Sequence, residues 1–77
     1  MEKQNLDKTF EESNLTFIGR RKLKIENYRS ILVFHEDEIR IQGKRYKIKI
    51  KGKRLKIPYY DKEELEITGM IESIGFE

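Results

Sequence analysis

Apolar and polar residues alternate with a period of two along most of this chain. The clearest stretch runs from Lys44 to Pro58, where apolar side chains alternate with lysine and arginine. This period is typical of a strand with one face buried and the other in water. Gly52 divides the stretch, so the pattern predicts a β-hairpin of two short strands that turns at this glycine. On its polar face, lysines of the first strand would lie opposite Arg54 or Lys56, and such like-charge pairs are destabilising.

The same alternation recurs before and after this stretch. Stretches in which apolar residues are continuous or alternate with polar ones fall at residues 15–18, 22–25, 31–34, 39–42, 64–68 and 70–76. Turn signals separate them at intervals of roughly eight to ten residues, which is typical of all-β proteins. Gly69 breaks the alternation, so we expect the last strand to be bulged. The chain is therefore predicted to be an all-β antiparallel meander of about seven short strands. With sequential strands adjacent, it would form a sandwich or a partly closed barrel.

The pattern also divides the chain into an arm and a domain. Residues 1–14 are polar, and we expect a flexible or weakly helical N-terminal arm, followed by one all-β domain over residues 15–77. Ile31–Phe34 is continuously apolar, which fits a strand buried on both faces or one at a subunit contact. Tyr46 is expected to pack in the core. Pro58 lacks an N–H and should end a strand or lie on an edge.

Charge is unevenly distributed. The chain is 36% hydrophobic and 40% charged, so its core must be thin. Residues 20–56 carry fourteen Lys/Arg against four Asp/Glu, whereas residues 57–77 carry one Lys against six acids. This segregation indicates either internal pairing or an electrostatic partner. The absence of long apolar runs and of a signal-peptide pattern at the N-terminus favours a cytosolic protein.

The basic face of the predicted hairpin is the candidate binding site. Its members are Arg45, Lys47, Lys49, Lys51, Arg54 and Lys56. In one interpretation, Glu64 and Glu66 on the following strand neutralise Arg54 and Lys56. Two glutamates cannot cover all six cations, so the rest would face an anionic partner: nucleic acid, lipid head groups or an acidic protein. Tyr59 is one of several tyrosines that could stack on bases.

Candidates for catalysis are weak. The chain contains no cysteine, which excludes disulfides, thiolate metal sites and cysteine nucleophiles. His35 stands beside three consecutive carboxylates in a predicted turn, where they cannot converge on one point. Ser13, Ser30 and Ser73 have no nearby base with a positioning partner, and the glycines form no phosphate-binding loop. We expect no catalytic residue, no metal and no cofactor, and therefore no enzyme.

Three stretches together resemble a known family. They are Lys24–Phe34 (KIENYRSILVF), Ile50–Ile57 (IKGKRLKI) and Leu65–Phe76 (LEITGMIESIGF). In this order and spacing they are similar to the YabP/YqfC family of small sporulation proteins, and most closely to its YqfC branch. The resemblance covers roughly residues 15–76. The N-terminal region of that branch tends to be longer and contains a proline, whereas here a short polar arm stands in its place.

The resemblance implies a non-enzymatic protein of endospore-forming bacteria, made in the mother cell. YqfC-like proteins lack membrane spans and are encoded beside a membrane protein of sporulation. We therefore expect a small binding or scaffolding module that docks on a membrane-embedded partner or an anionic membrane through its basic hairpin. It would lie at the membrane around the forespore and self-associate through Ile31–Phe34 or a sheet edge. The alternative is an RNA-binding small β-barrel of the Sm-like kind, which matches in size and charge.

Overall fold

The computed structural model describes residues 12–77 and confirms the all-β antiparallel prediction. Six strands form one open sheet: β1 (Asn14–Ile18), β2 (Lys22–Glu26), β3 (Tyr28–Phe34), β4 (Glu38–Gly43), β5 (Lys47–Tyr60) and β6 (Glu64–Phe76). Their order across the sheet is β1-β2-β6-β5-β4-β3. Across residues 12–77 there is no helix of a length and apolarity that would cross a membrane.

The sheet has six strands, close to the predicted number of about seven, and two pairs of predicted strands are each one long strand. The stretch around Gly52 is not a hairpin: β5 runs without a turn from Lys47 to Tyr60. Likewise, β6 continues through Gly69. The pairing register shifts beside Gly52 and again between Lys53 and Lys56. The apolar alternation changes phase through these shifts, and a change of phase fits a bulge as well as a turn.

Gly52 and Gly69 are needed because β5 and β6 approach each other very closely at the bulge. A Cβ built on Gly52 would overlap the carbonyl oxygen of Met70 and lie 3.0 Å from its carbonyl carbon. A Cβ on Gly69 would lie 2.5 Å from the carbonyl oxygen of Arg54, and Gly69 also has φ +124°. A left-handed backbone of this kind is costly for residues other than glycine. Arg54 has a positive φ of 54° at the same bulge.

The core is built from alternate residues of β2, β4, β5 and β6, with one residue from β3. Its buried side chains are Leu23, Ile25, Tyr28, Ile39, Ile41, Ile48, Ile50, Leu55, Leu65 and Ile67. The alternation is regular in β2 and β4, as predicted. Tyr46 packs against this cluster, also as predicted, and its ring meets Phe76 edge-on with 5.2 Å between centroids. One contiguous core thus serves the whole sheet.

Sequential strands are not always neighbours. β2 pairs with β6 and not with β3, although only Asn27 separates β2 from β3. Asn27 turns the chain with φ 64°, its N–H donates to Glu63 O at 2.6 Å, and its side-chain amide donates to Glu12 O at 2.7 Å. The prediction that sequential strands are adjacent is therefore wrong at this point. The turn between β2 and β3 is short, because Tyr28 already belongs to β3 and is buried.

Ile31–Phe34 lies in β3, which is an edge strand of the sheet. Leu32 and Phe34 are exposed, so the interpretation that this run is buried on both faces is wrong. A subunit contact through this run stays a prediction. Of the predicted N-terminal arm, residues 1–11 lie outside the described residues. Ser13 is buried, and its hydroxyl donates to Asn27 O at 2.7 Å.

Candidate binding surface

The six predicted binding residues do not lie on a hairpin, because β5 is one strand. Arg45 lies in the turn before β5, and Lys47, Lys49 and Lys51 project from the first half of β5, away from the buried Ile48. Arg54 and Lys56 project from its second half, on either side of Leu55. The register shifts of β5 separate these two groups. The predicted like-charge pairing of the hairpin therefore does not occur.

Acidic residues near the first half of β5 offset part of its charge. Lys49 forms an ion pair with Glu77 at 3.8 Å, and Lys51 lies directly opposite Glu38 of β4. Glu38 also accepts a hydrogen bond from the Arg40 guanidinium, which holds the pKa of the Glu38 carboxyl below its ordinary value. This half of β5 is therefore a mixed-charge surface. Exposed pairs of this kind contribute little energy.

The glutamates that were expected to neutralise Arg54 and Lys56 are engaged elsewhere. Glu66 pairs with Lys22 at 3.5 Å, and Glu64 pairs with Lys24 at 3.5 Å. Both lysines come from β2, which lies beside β6 on the side away from β5. That interpretation is therefore wrong. Within residues 12–77, neither Arg54 nor Lys56 forms an ion pair.

Arg54 and Lys56 instead join a cationic cluster around an open pocket of about 960 Å³. We call it the basic pocket, and its cations are Arg20, Arg21, Lys22, Arg54 and Lys56. Strand register explains the grouping, since Lys22 pairs with Thr68 and Thr68 pairs with Lys56 across three adjacent strands. Ile18 and Phe34 add apolar surface, and Glu36 is the one acid in the lining. A concave surface lined by one sign of charge concentrates field lines and attracts the opposite charge.

The turn after β3 fixes the backbone of this pocket. Gly52 N donates to Asp37 O at 3.1 Å, and Leu55 N donates to Glu36 O at 2.8 Å. These two bonds flank Arg54 and hold its unusual backbone in place. On the opposite side, Gly69 N donates to Arg21 O at 3.2 Å. Arg21 and Arg54 are thus presented by backbone anchored on both sides of the bulge.

Arg20, Arg21 and Lys22 are functional candidates that the sequence pattern did not single out. They form the run after Gly19, where a cluster of three cations at a turn was visible as a charge signal. Their closeness to Arg54 depends on β2 lying beside β6, which sequential adjacency does not predict. Among the tyrosines considered for stacking, Tyr59 donates to Asp61 Oδ2 at 2.6 Å, and this bond raises the pKa of the Tyr59 hydroxyl.

Two of the residues considered for catalysis, His35 and Ser13, form hydrogen bonds that hold turns and strand ends in place. His35 lies in the turn after β3, where its backbone N–H donates to Glu38 O at 2.8 Å. The Ser13 hydroxyl bonds Asn27 O and accepts from Lys44 N at 3.2 Å, so it joins the start of β1 to two other segments. No group of three His, Cys, Asp or Glu suited to a metal occurs within the part of the chain that the structure describes.

An all-β domain with one open sheet and a cationic pocket at its bulge is the class of protein that these observations define. A model of the YabP family matches residues 9–77. The chain therefore belongs to the YabP family. No curated protein and no solved structure matches the chain.

Proposed function

We propose that this protein is a non-enzymatic binding and scaffolding module of spore formation, on the YqfC branch of its family. It docks on an acidic segment of a membrane-embedded partner through the basic pocket. Membership of the YabP family and the quoted resemblance to YqfC-like sequences support the cellular role. The cationic cluster around one concavity supports the binding role.

The single observation that carries this proposal is the unbalanced charge of the basic pocket. Five cations line it beside one acid, Glu36, and of these cations only Lys22 has an ion pair within residues 12–77. Cations held close together repel one another unless an anion neutralises them. An acidic ligand relieves that repulsion and gains charge-assisted hydrogen bonds from the guanidinium groups of Arg21 and Arg54.

The shape of the pocket favours a protein over a lipid surface. Acidic side chains on a protruding segment can reach the half-buried Lys22 and Thr68 of this open pocket, whereas the flat face of a bilayer meets the exposed lining residues. Ile18 and Phe34 also provide apolar contact beside the charges, which suits a peptide of mixed composition. Lys47 and Lys51 on the first half of β5 add long-range attraction, which speeds association more than it tightens binding.

Two double charge reversals on β5 test the proposal. Arg54→Glu with Lys56→Glu changes the basic pocket, whereas Lys47→Glu with Lys51→Glu makes the same change of net charge outside it. We expect a fluorescent fusion of the unchanged protein to label the membrane around the forespore of sporulating cells. The pocket variant should become diffuse, and the control variant should still label the membrane. Thermal unfolding of the purified variants checks that both are folded.

Three outcomes would refute this function. Membrane labelling by a folded pocket variant would show that the basic pocket is not the docking site. Binding of the purified protein to protein-free vesicles with an anionic phospholipid would replace the protein partner by lipid. RNA binding that weakens steeply with salt and is lost in the pocket variant would favour the nucleic-acid alternative, because phosphate contacts release counterions.

A further inference from the structure

A second groove separates β3 from the second half of β5. It has a volume of about 800 Å³, and its lining includes Tyr28, Arg29, Ile31, Phe34, Asp61 and Lys62. Hydrogen bonds bridge it at both ends. Leu55 N donates to Glu36 O at 2.8 Å at one end, and the Tyr28 hydroxyl donates to Asp61 O at 2.5 Å at the other. The groove is therefore a slot of defined length between two strands.

Both walls of this slot are sheet edges. β3 is the last strand in the sheet order, and β4 pairs with β5 only as far as Lys51, so the second half of β5 pairs with β6 alone. Proteins protect exposed edges with proline or with charge. Pro58 protects the β5 wall, as expected for a proline on an edge. β3 has no proline and only one charged residue, Arg29, so its edge remains open to another strand.

The chemistry of the slot is apolar along its length and cationic at one end. Ile31 pairs with Ile41 and Phe34 pairs with Ile39, so the register shifts of β3 turn both side chains to the core face. Phe34 is nevertheless 52% exposed. At the end near Asp61, Arg29 and Lys62 form no ion pair within residues 12–77. The Asp61 carboxylate is already engaged by Tyr59 and by the N–H groups of the turn.

We propose that this slot binds an extended segment of another protein, which adds to β3 as a new strand. Its apolar side chains contact Ile31 and Phe34, and a carboxylate of the segment pairs with Arg29 and Lys62. Strand addition suits the site because an edge offers main-chain hydrogen bonds that a helix or a small molecule cannot use in sequence. This site adjoins the basic pocket at Phe34 but has its own polar end, and it goes beyond the function proposed above.

A second copy of this protein does not suit the slot. Its own β3 is joined to β4 on one side and faces the second half of β5 across the groove on the other. A strand that is already held in its own sheet in this way is not free to lie in the slot of another copy. A free extended segment, in contrast, can enter the open groove between the two bridging hydrogen bonds.

Selection from a displayed random peptide library on the purified protein supplies the probe. We expect the selected peptides to carry apolar residues at alternate positions and an acid at one end. Phe34→Glu should weaken their binding by more than about tenfold, because it places a charge in the apolar contact. Phe17→Glu is the matched control, since Phe17 is 53% exposed on the other edge strand, and it should leave binding within about twofold of the unchanged protein.

Phe34 also lines the basic pocket, so two further variants separate the two sites. Arg29→Glu changes the slot alone and should weaken the acidic peptides, whereas the double variant Arg54→Glu with Lys56→Glu should leave them unchanged. Amide hydrogen exchange should slow along β3 when peptide is bound. Arg29 is exposed, so its substitution keeps the test valid even if the Phe34 variant fails to fold.

Several results would overturn the strand-addition proposal. One is the absence of any selected peptide, and another is equal loss of binding in the Phe17 and Phe34 variants. Protection of β1 amides in place of β3 amides would put the site on the other edge. A dimer of the unchanged protein that Phe34→Glu converts to a monomer would show that a second copy occupies the slot.

Discussion

Replacing Gly52 with alanine should be among the most damaging single-methyl changes in this protein. The added Cβ would overlap the Met70 carbonyl oxygen and lie 3.0 Å from the Met70 carbonyl carbon and 3.1 Å from Ile71 Cα. Carbon atoms prefer separations of about 3.5–4.0 Å, so the β6 backbone must retreat by on the order of 1 Å. Overpacking usually costs about 1–3 kcal/mol, and backbone yields less easily than a side chain. We therefore expect the free energy of unfolding to fall by about 3 kcal/mol.

Thermal and urea unfolding measure this effect. For a domain of this size, a loss of about 3 kcal/mol lowers the melting temperature by roughly 12–24 °C. Gly75→Ala is the matched control, because Gly75 lies on the same strand pair and an added Cβ would meet nothing within 4 Å. It should change stability by less than about 0.5 kcal/mol. If Gly52→Ala lowers the free energy of unfolding no more than Gly75→Ala does, the close approach of β5 to β6 at Gly52 is wrong. Such a result would favour a turn at Gly52.

Two smaller perturbations test the ends of the sheet. Ser13→Ala removes a buried hydroxyl that bonds Asn27 O, so it should cost about 1–2 kcal/mol in urea unfolding, whereas the exposed Ser73→Ala should cost nothing measurable; equal effects would contradict the anchoring role. The hydrogen bond from Tyr59, followed by the turn N–H groups, lowers the Asp61 pKa from its ordinary 3.8, so the stability from this carboxylate is complete above pH 3.8 and is lost as the pH falls through the lower folded pKa. Asp61→Asn should therefore reduce the loss of stability between pH 6 and about pH 2, and an unchanged acid dependence over that range would refute this account.

Much of the fold could be predicted from the period-two pattern. Leu23 and Ile25 in β2 alternate with polar residues, as do Ile39 and Ile41 in β4. This alternation identifies the core face of each strand directly, because each strand is regular and half buried. The stretch around Gly52 could not be resolved in the same way. A phase change in alternation accompanied by glycine fits a turn and a bulge equally, and only contact with β6 decides between them.

The candidate site was predictable only in part, for a related reason. Arg54 and Lys56 stood out as basic residues, but their neighbours depend on pairing between segments distant in sequence. Glu66 is drawn to Lys22 because β2 lies against β6, and the same pairing brings Arg21 to the basic pocket. The exposure of Phe34 could not be predicted either. A continuous apolar run indicates a buried strand unless that strand is known to lie at the edge of the sheet.

The pairing of β2 with β6 also governs the order in which the protein can assemble. Residues 22–26 find their partner strand only in residues 64–68, so a nascent chain cannot join β2 to the sheet until β6 has been synthesised. Until then, β3, β4 and the first half of β5 can form a local meander, while the short pair β1–β2 waits without a second neighbour. Such non-local closure makes folding slow. A chain whose synthesis stops before β6 would therefore expose the edges of β2 and β5, which β6 otherwise covers, and would not form a smaller stable domain.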